Sequence, residues 1–287
     1  MIVGSGDFKY ELIEGWGKLP EYFEMDDPVD IAVSSQGRVY VASRGNHPVI
    51  IFDREGNFIS CWGEGHFGDP HGVCIAPDDS VFITDRIYNT VEKLTPGGKN
   101  LMTLGTRGAQ YPIMLRRPFC QPTDLAVSPS GDLYVCDGYG NYLVHRFSAD
   151  GKLLKTWGEP GSGPGQFALP HRVGIDKKGI IYVADRNADR IQLFSPDGEF
   201  ITMWTDFTWP QDLYIDRENE LVYVVESPQK SRLTIRDFKG KIVWALGATH
   251  RGKTILHNSH TVTVDSRGDI YVGEIVKAKR ILKFIKV

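Results

Sequence analysis

The sequence predicts an all-β fold, a six-bladed β-propeller that forms a single domain over residues 1–287. Three observations predict it. A unit of roughly 40 to 50 residues recurs along the chain, which is the repeat length of propeller blades. Each unit alternates apolar and polar residues with the period of a strand, and the turns between its strands contain glycine.

Each repeat starts with a proline or a serine, continues into an apolar strand and a turn, and then adds further strands. The six units cover residues 28–63, 70–105, 122–158, 170–204, 210–247 and 259–287. The connectors at 106–121 and 247–258 are predicted to be loops on the ring of blades and not linkers between domains.

The sixth unit ends after three strands, one fewer than the others. The N-terminal segment "YELIEGWG" matches the fourth strands "FISCWG" and "LLKTWG". We therefore expect the N-terminal strand to complete blade six. This closure would remove the exposed strand edges that an open sheet leaves.

Three histidines occupy one position of the repeat, at the start of the first strand. They are His71 in unit two, His171 in unit four and His260 in unit six. The first strand of a blade lies nearest the central axis, and alternate blades of six are about a third of a turn apart. The side chains would converge there as a three-histidine metal site with an open coordination position. The alternative is that they merely line a polar channel.

Residues 15 positions after the histidine position fall at the same mouth of the channel, because the first two strands are antiparallel. They are Arg44, Arg86, Gly138 beside Tyr139, Arg186 and Glu226. Arginine binds carboxylates through paired hydrogen bonds, so a small anionic or carbonyl-bearing substrate is expected. The alternative is that the arginines pair with neighbouring carboxylates such as Asp85 and Asp185.

Other polar residues of the repeat are interpreted as structural. Asp30, Asp124 and Asp212 follow the histidine position in the odd units, where a carboxylate can accept backbone N–H bonds. The five other histidines are predicted to be surface or loop residues, and His257 is close enough to His260 in the sequence to be a candidate hydrogen-bond partner of that ligand. The five are His47, His66, His145, His250 and His257.

Composition excludes several function classes. The net charge of −3 provides no basic field for nucleic acid or an anionic membrane, and no apolar run approaches 18 residues. The N-terminus lacks the pattern of a signal peptide. The four cysteines show no CxxC or zinc-finger spacing. These features favour a cytoplasmic protein whose partner is a small molecule.

The segment from "RPFCQPTDLAVSPSGDLYVCDGYGN" to "PGQFALPHRVGI", followed by "YVADRNADRIQLF", carries a specific resemblance. The repeat resembles NHL-type propellers, and these motifs resemble peptidyl-α-hydroxyglycine α-amidating lyase. The likeness is strong over residues 118–200 and weaker, but in register, elsewhere. It implies a six-bladed propeller that cleaves the C–N bond of an α-hydroxyglycine unit, releasing an amide and glyoxylate.

The resemblance also implies roles for particular residues. It implies a catalytic zinc held by His71, His171 and His260, with iron or manganese as alternative divalent metals. Tyr139 would act as the base. Arg44 and Arg186 would hold the substrate's carboxylate and carbonyl, and Arg86, which replaces an apolar residue of the family, would add a positive charge.

This sequence departs from the family pattern at several positions. Thr261 replaces an aspartate that binds structural calcium, so calcium is not expected even though the Val73 carbonyl remains. Cys120 matches one cysteine of a disulfide in the family, but the position of its partner is Gly140. The two cysteines of the family's second disulfide correspond to Tyr182 and Leu193. We therefore expect a reducing compartment and a smaller substrate, an anionic carbinolamine or a 2-hydroxy acid derivative.

Two other functions remain open. A lactonase-like hydrolase would need acidic residues at the mouth, for which Glu226 and Glu274 are the candidates. A non-enzymatic binding scaffold would need exposed aromatic residues, but the tryptophans recur at the end of the fourth strand, which is a blade-packing position. They are Trp62, Trp157, Trp204 and Trp244.

Overall fold

A computed structural model describes residues 1–109, 114, 117–227 and 231–287. The described residues are almost entirely strands and turns, and their single helical element is a 3₁₀ turn at Arg186–Ala188. No helix among them is long and apolar enough to cross a bilayer. The strands of the first two blades and the N-terminus are β1 (Ile2–Ser5), β2 (Phe8–Ile13), β3 (Pro28–Val33), β4 (Val39–Ser43), β5 (Val49–Phe52), β6 (Phe58–Trp62), β7 (Pro70–Ile75), β8 (Val81–Asp85), β9 (Thr90–Leu94) and β10 (Asn100–Gly105).

The next two blades contain β11 (Asp124–Val127), β12 (Leu133–Asp137), β13 (Leu143–Phe147), β14 (Leu153–Trp157), β15 (Pro170–Ile175), β16 (Ile181–Asp185), β17 (Arg190–Phe194) and β18 (Phe200–Trp204). The remaining strands are β19 (Pro210–Asp216), β20 (Leu221–Glu226), β21 (Arg232–Asp237), β22 (Ile242–Gly247), β23 (Thr249–His250), β24 (Lys253–Thr254), β25 (Ser259–Val264), β26 (Ile270–Glu274) and β27 (Arg280–Lys286). Five blades are four-stranded antiparallel sheets of consecutive strands, and the sixth combines β25, β26 and β27 with β2 and β1, which confirms the predicted six-bladed propeller.

The N-terminal strand completes blade six, as predicted. Tyr10 of β2 lies opposite Lys286 of β27, and Ile13 lies opposite Lys283. The short strand β1 adds a fifth strand outside β2, which the sequence did not indicate. The sequence did not indicate this strand because its four residues are too few to show strand alternation, and Gly4 adopts a left-handed φ of +79°.

The two connectors differ from the prediction in one respect. The connector at 247–258 contains the small hairpin of β23 and β24, in which Thr249 lies opposite Thr254. Part of the predicted loop at 106–121 lies outside the described residues.

The strands form two compact units, residues 65–210 and residues 1–64 with 211–287. Within the first unit, the Asp124 carboxylate of blade three accepts the backbone N–H of Val173 in blade four at 2.9 Å. Within the second, the Asp212 carboxylate of blade five accepts the backbone N–H of Val262 in blade six at 2.8 Å.

Asp30 also has the predicted structural role. Its carboxylate accepts the backbone N–H of Ile31 at 2.9 Å and the Thr261 hydroxyl at 2.7 Å. Each of the three aspartates therefore accepts a hydrogen bond from the first strand of a neighbouring blade. These bonds satisfy the buried carboxylates and hold the first strands together.

Aromatic residues at the end of the fourth strand pack between blades. Trp157 is buried, and its ring centroid lies 6.0 Å from that of Phe194 in the next blade. Trp244 of blade five lies 5.5 Å from Tyr10 of blade six. A Cβ at Gly198 would lie 2.7 Å from the Trp157 ring, so this turn requires glycine. The blade-packing interpretation is confirmed for these two tryptophans.

Candidate metal centre

A β-bulge positions each of the three predicted metal ligands. In blade two Pro70 pairs with Asp85 and Gly72 pairs with Thr84, so His71 is the extra residue between them. The register shifts in the same way around His171 and His260. A bulge turns one side chain away from the regular alternation of the strand. The same local irregularity therefore orients all three histidine side chains.

Backbone carbonyls determine which ring nitrogen of two of these histidines carries the proton. Nδ1 of His71 lies 2.8 Å from the carbonyl oxygen of Thr123, and Nδ1 of His260 lies 2.7 Å from that of Val29. A carbonyl can only accept, so Nδ1 donates in both rings, and in the neutral imidazole Nε2 then carries the lone pair. Histidines that bind metals are commonly oriented in this way.

All three predicted metal ligands, His71, His171 and His260, are buried. The rings of His71 and His171 meet edge to face, with centroids 4.9 Å apart. Three neutral imidazole donors suit zinc and related divalent metals in a site that keeps one position open. The residues present therefore fit a metal.

Tyr139 lies directly against two of these histidines. Its hydroxyl is 3.1 Å from Nε2 of His71 and 3.3 Å from Nε2 of His171. The guanidinium carbons of Arg86 and Arg186 lie 5.3 and 5.7 Å from the Tyr139 ring centroid. The structure thus brings together, within one unit, two predicted ligands, the predicted base and two predicted substrate-binding arginines.

The three arginines start from equivalent backbone positions. The N–H groups of Arg44, Arg86 and Arg186 each donate to the carbonyl of the residue 17 positions earlier. In blades one and two that earlier residue is an aspartate. Arg44 pairs with Asp27 at 3.3 Å, and Nε of Arg86 donates to Asp69 at 2.7 Å.

Blade four differs, because the residue 17 positions before Arg186 is Leu169. The Arg186 guanidinium lies over the ring of Trp209, 5.3 Å from its centroid. Trp209 is a residue of this site that the sequence analysis missed. Trp209 comes directly before the proline that starts the next blade. The repeat pattern does not mark that position as part of a site.

Two of the three arginines pair with neighbouring aspartates, as the alternative interpretation expected, although the partners are not Asp85 and Asp185. Asp85 accepts the backbone N–H of Gly68 at 2.6 Å, and it also binds the turn that follows its own strand. Asp185 accepts the N–H of Leu169 at 2.7 Å and pairs with Arg190 at 2.9 Å. Burial raises the pKa of Asp185 despite these donors.

The two acidic candidates of the hydrolase interpretation are buried and paired with arginines. Glu226 forms an ion pair with Arg232. Glu274 accepts Nε of Arg280 at 2.8 Å and the backbone N–H of His257 at 2.6 Å. The His257 side chain is exposed, and its backbone N–H is the group that contacts Glu274.

One histidine contradicts the prediction of a surface or loop position. His145 lies in β13 and is fully buried, with Nε2 3.2 Å from the Asp137 carboxylate and Nδ1 2.8 Å from the Thr156 hydroxyl. It follows the apolar alternation of the strand, and its carboxylate partner compensates its burial. His66 is exposed, as predicted.

The departures from the lyase pattern have clear structural counterparts. Thr261 donates its hydroxyl to Asp30, so the position of the family's calcium ligand serves blade packing instead. A Cβ at Gly140 would overlap the sulfur of Cys120, and Tyr182 lies directly opposite Leu193. All four cysteines are free thiols.

Comparison with known proteins supports the repeat assignment. The model of the NHL repeat matches residues 119–147. Human NHL repeat-containing protein 3 is 32% identical over 296 residues, which cover 96% of this chain and 84% of that protein. The chain belongs to the NHL repeat family. The name of this human relative states a repeat and no activity.

Other NHL-family relatives carry the name of a lyase. A probable peptidyl-α-hydroxyglycine α-amidating lyase of Caenorhabditis elegans is 29% identical over 252 residues, covering 83% of this chain and 70% of the relative. The chain spans 23% of each of two longer amidating monooxygenases, from mouse and rat. A catalytically inactive virginiamycin B lyase from Staphylococcus aureus, solved with quinupristin, has a TM-score of 0.65 at 16% identity, with 96% and 88% of the two chains covered. At that identity the likeness concerns the fold alone.

Proposed function

We propose that this protein is a metal-dependent lyase that cleaves the C–N bond of a small anionic α-hydroxyglycine-like molecule. The observation that carries the proposal is the position of Tyr139. Its hydroxyl lies within hydrogen-bond distance of two buried histidines, and the cationic heads of two arginines lie over its ring. A base, metal-binding nitrogens and carboxylate-binding groups are thus adjacent, as such a reaction requires.

The reaction needs no external oxidant or reductant. The hydroxyl of the carbinolamide loses its proton, its oxygen forms a carbonyl, the C–N bond breaks, and the departing nitrogen gains a proton. A divalent metal bound by the three histidines would supply Lewis acidity toward the substrate oxygen. Tyr139 would accept the hydroxyl proton, since its oxygen lies beside the same ring nitrogens.

The arginines would bind and orient the anionic end of the substrate. Arg186 lies over both Tyr139 and Trp209, so its guanidinium is held by two aromatic faces. A carboxylate bound there would lie beside the Tyr139 ring. Arg44 is proposed to assist on the strength of the family resemblance, and Arg86 would strengthen the preference for small anions.

The hydrolase alternative is less well supported by the same region. Glu226 and Glu274 are each paired with an arginine, so neither carboxylate is available as the acidic ligand of a calcium site. The scaffold alternative leaves the shared ring orientation of His71 and His260 without a function, because a binding surface does not need buried imidazoles fixed by backbone carbonyls.

The first experiment measures the metal content of the purified protein beside the His171→Ala variant, by mass spectrometry. The proposal expects the wild type to carry zinc, iron or manganese and the variant to lose one equivalent. The matched control is His66→Ala, an exposed histidine outside the group, which should retain the metal.

Activity assays on an N-acyl α-hydroxyglycine and on a lactone follow from the same preparation. Release of glyoxylate from the first compound, with no lactone hydrolysis, is the expected result. Lactone hydrolysis without glyoxylate release would favour the hydrolase. A wild type that binds no transition metal even on titration would leave the binding scaffold as the better interpretation.

A further inference from the structure

A second group of metal-binding side chains lies on blade one, and it includes none of the three ligands described above. It consists of His47, Cys61 and Glu64. His47 precedes strand β5, Cys61 lies in β6 opposite Ile50, and Glu64 follows two residues after β6. The three therefore meet because β5 and β6 are paired.

In this group a single carboxylate oxygen receives two contacts. Oε1 of Glu64 accepts the Cys61 thiol at 3.0 Å and lies 3.2 Å from Nδ1 of His47. The thiol sulfur and Nδ1 are 3.9 Å apart. Bonds of about 2.0 to 2.3 Å at tetrahedral angles place neighbouring ligands of zinc roughly 3.4 to 3.6 Å apart. The observed triangle is close to one face of that tetrahedron.

The His47 ring has little freedom to leave this position. Phe23 stacks on it with ring centroids 3.9 Å apart and planes inclined by 12°. Phe23 also packs on Phe58 of the same blade. This support orients the imidazole before any ligand arrives, which lowers the cost of binding.

We propose that His47, Cys61 and Glu64 bind a borderline divalent metal ion, with zinc as the expected species and a fourth position open to solvent. The donor set of one sulfur, one nitrogen and one carboxylate oxygen selects zinc or copper over magnesium and calcium, which prefer oxygen ligands. The Glu64 side chain is 47% exposed and that of His47 is 26% exposed, so an ion can reach the site from water.

Binding would exchange protons for the ion. The Cys61 thiol must lose its proton to become a ligand, and Nδ1 of His47 must present its lone pair with any proton on Nε2. The Glu64 carboxylate would then bind the ion instead of accepting hydrogen bonds from the Cys61 thiol and from Nδ1 of His47. Zinc uptake should therefore release at least one proton per ion and become weaker as the pH falls.

The test replaces zinc by cobalt, because a thiolate ligand gives cobalt a near-ultraviolet charge-transfer band that a three-histidine site cannot give. Titration of the wild type with cobalt alone should produce this band. Cys61→Ser should abolish it, while Cys74→Ser, a half-buried thiol outside the group, should leave it unchanged. Glu64→Gln should weaken zinc binding at this site by at least about 10-fold.

The same titration separates this site from the proposed active site. His171→Ala should retain the thiolate band and lose the other equivalent of metal, whereas Cys61→Ser should do the reverse and keep any lyase activity. A wild type without the thiolate band, or a band that survives in Cys61→Ser, would overturn the proposal. Both Cys61→Ser and Glu64→Gln are conservative changes at accessible positions, and circular dichroism checks that each variant is folded.

Discussion

The Tyr139 hydroxyl lies 3.1 Å from Nε2 of His71, across the junction between blades two and three. Because Nδ1 of His71 donates to the Thr123 carbonyl, Nε2 of the neutral ring is an acceptor, and the Tyr139 hydroxyl donates to it. The nitrogen that would bind a metal is thus the nitrogen that now holds the phenol. Metal binding and the position of the proposed base are therefore linked.

Tyr139→Phe should lower the rate of glyoxylate release by roughly 100- to 10,000-fold, the usual contribution of a general base. The metal content should stay at the wild-type level, because the three histidines are unchanged. Steady-state kinetics and metal analysis of the same sample check both statements. Equal loss of metal and activity would instead assign Tyr139 a role in metal binding.

Arg186→Leu should reduce kcat/KM for an anionic substrate by roughly 10- to 100-fold, the value of a charge-assisted hydrogen-bonded pair. Arg86→Leu should have the smaller effect, since part of the charge of Arg86 is already compensated by Asp69 at 2.7 Å. Kinetics with an anionic substrate and its methyl ester test this order. Similar losses for the ester in Arg186→Leu would argue against carboxylate binding.

Asp124→Ala should lower the free energy of unfolding by about 3 to 5 kcal/mol, the cost of breaking a buried ion pair from one side. The change removes the acceptor of the Val173 N–H and a carboxylate 3.4 Å from the buried Arg172. Urea unfolding followed by tryptophan fluorescence measures it. Asp150→Ala, an exposed turn residue, is the control and should change stability by no more than about 0.5 kcal/mol.

Cys120 and Cys136 should resist alkylation at pH 8 in the folded protein. Burial raises the pKa of the Cys120 thiol, and it raises that of Cys136 well above its ordinary value, so the reactive thiolate is scarce until the pH approaches those raised values. Mass spectrometry should locate the label first on Cys74, which is partly exposed. Cys61 is also partly exposed, but burial and the Glu64 carboxylate raise its pKa to about 11, so it should react more slowly. In denaturant all four should react. Rapid labelling of Cys120 in the native state would show that blade three opens.

The sequence by itself determined the propeller, its six repeats and the closure of blade six by the N-terminal strand. This was possible because strand alternation, glycine turns and repeat length are local properties of the sequence, and each of the six repeats shows them again. The equivalence of His71, His171 and His260 follows from the same register. The extra strand β1 was not predictable, since four residues with a left-handed Gly4 carry no such pattern.

Only the tertiary structure decided which groups meet. The pairing of Arg86 with Asp69, the stacking of Arg186 on Trp209 and the burial of His145 against Asp137 depend on how strands and loops pack together. The group of His47, Cys61 and Glu64 likewise exists only because β5 and β6 are paired. The alternation of apolar and polar residues predicts which face of a strand is buried. Hydrogen-bond partners and ring tautomers depend instead on distances between side chains, which the repeat pattern does not determine.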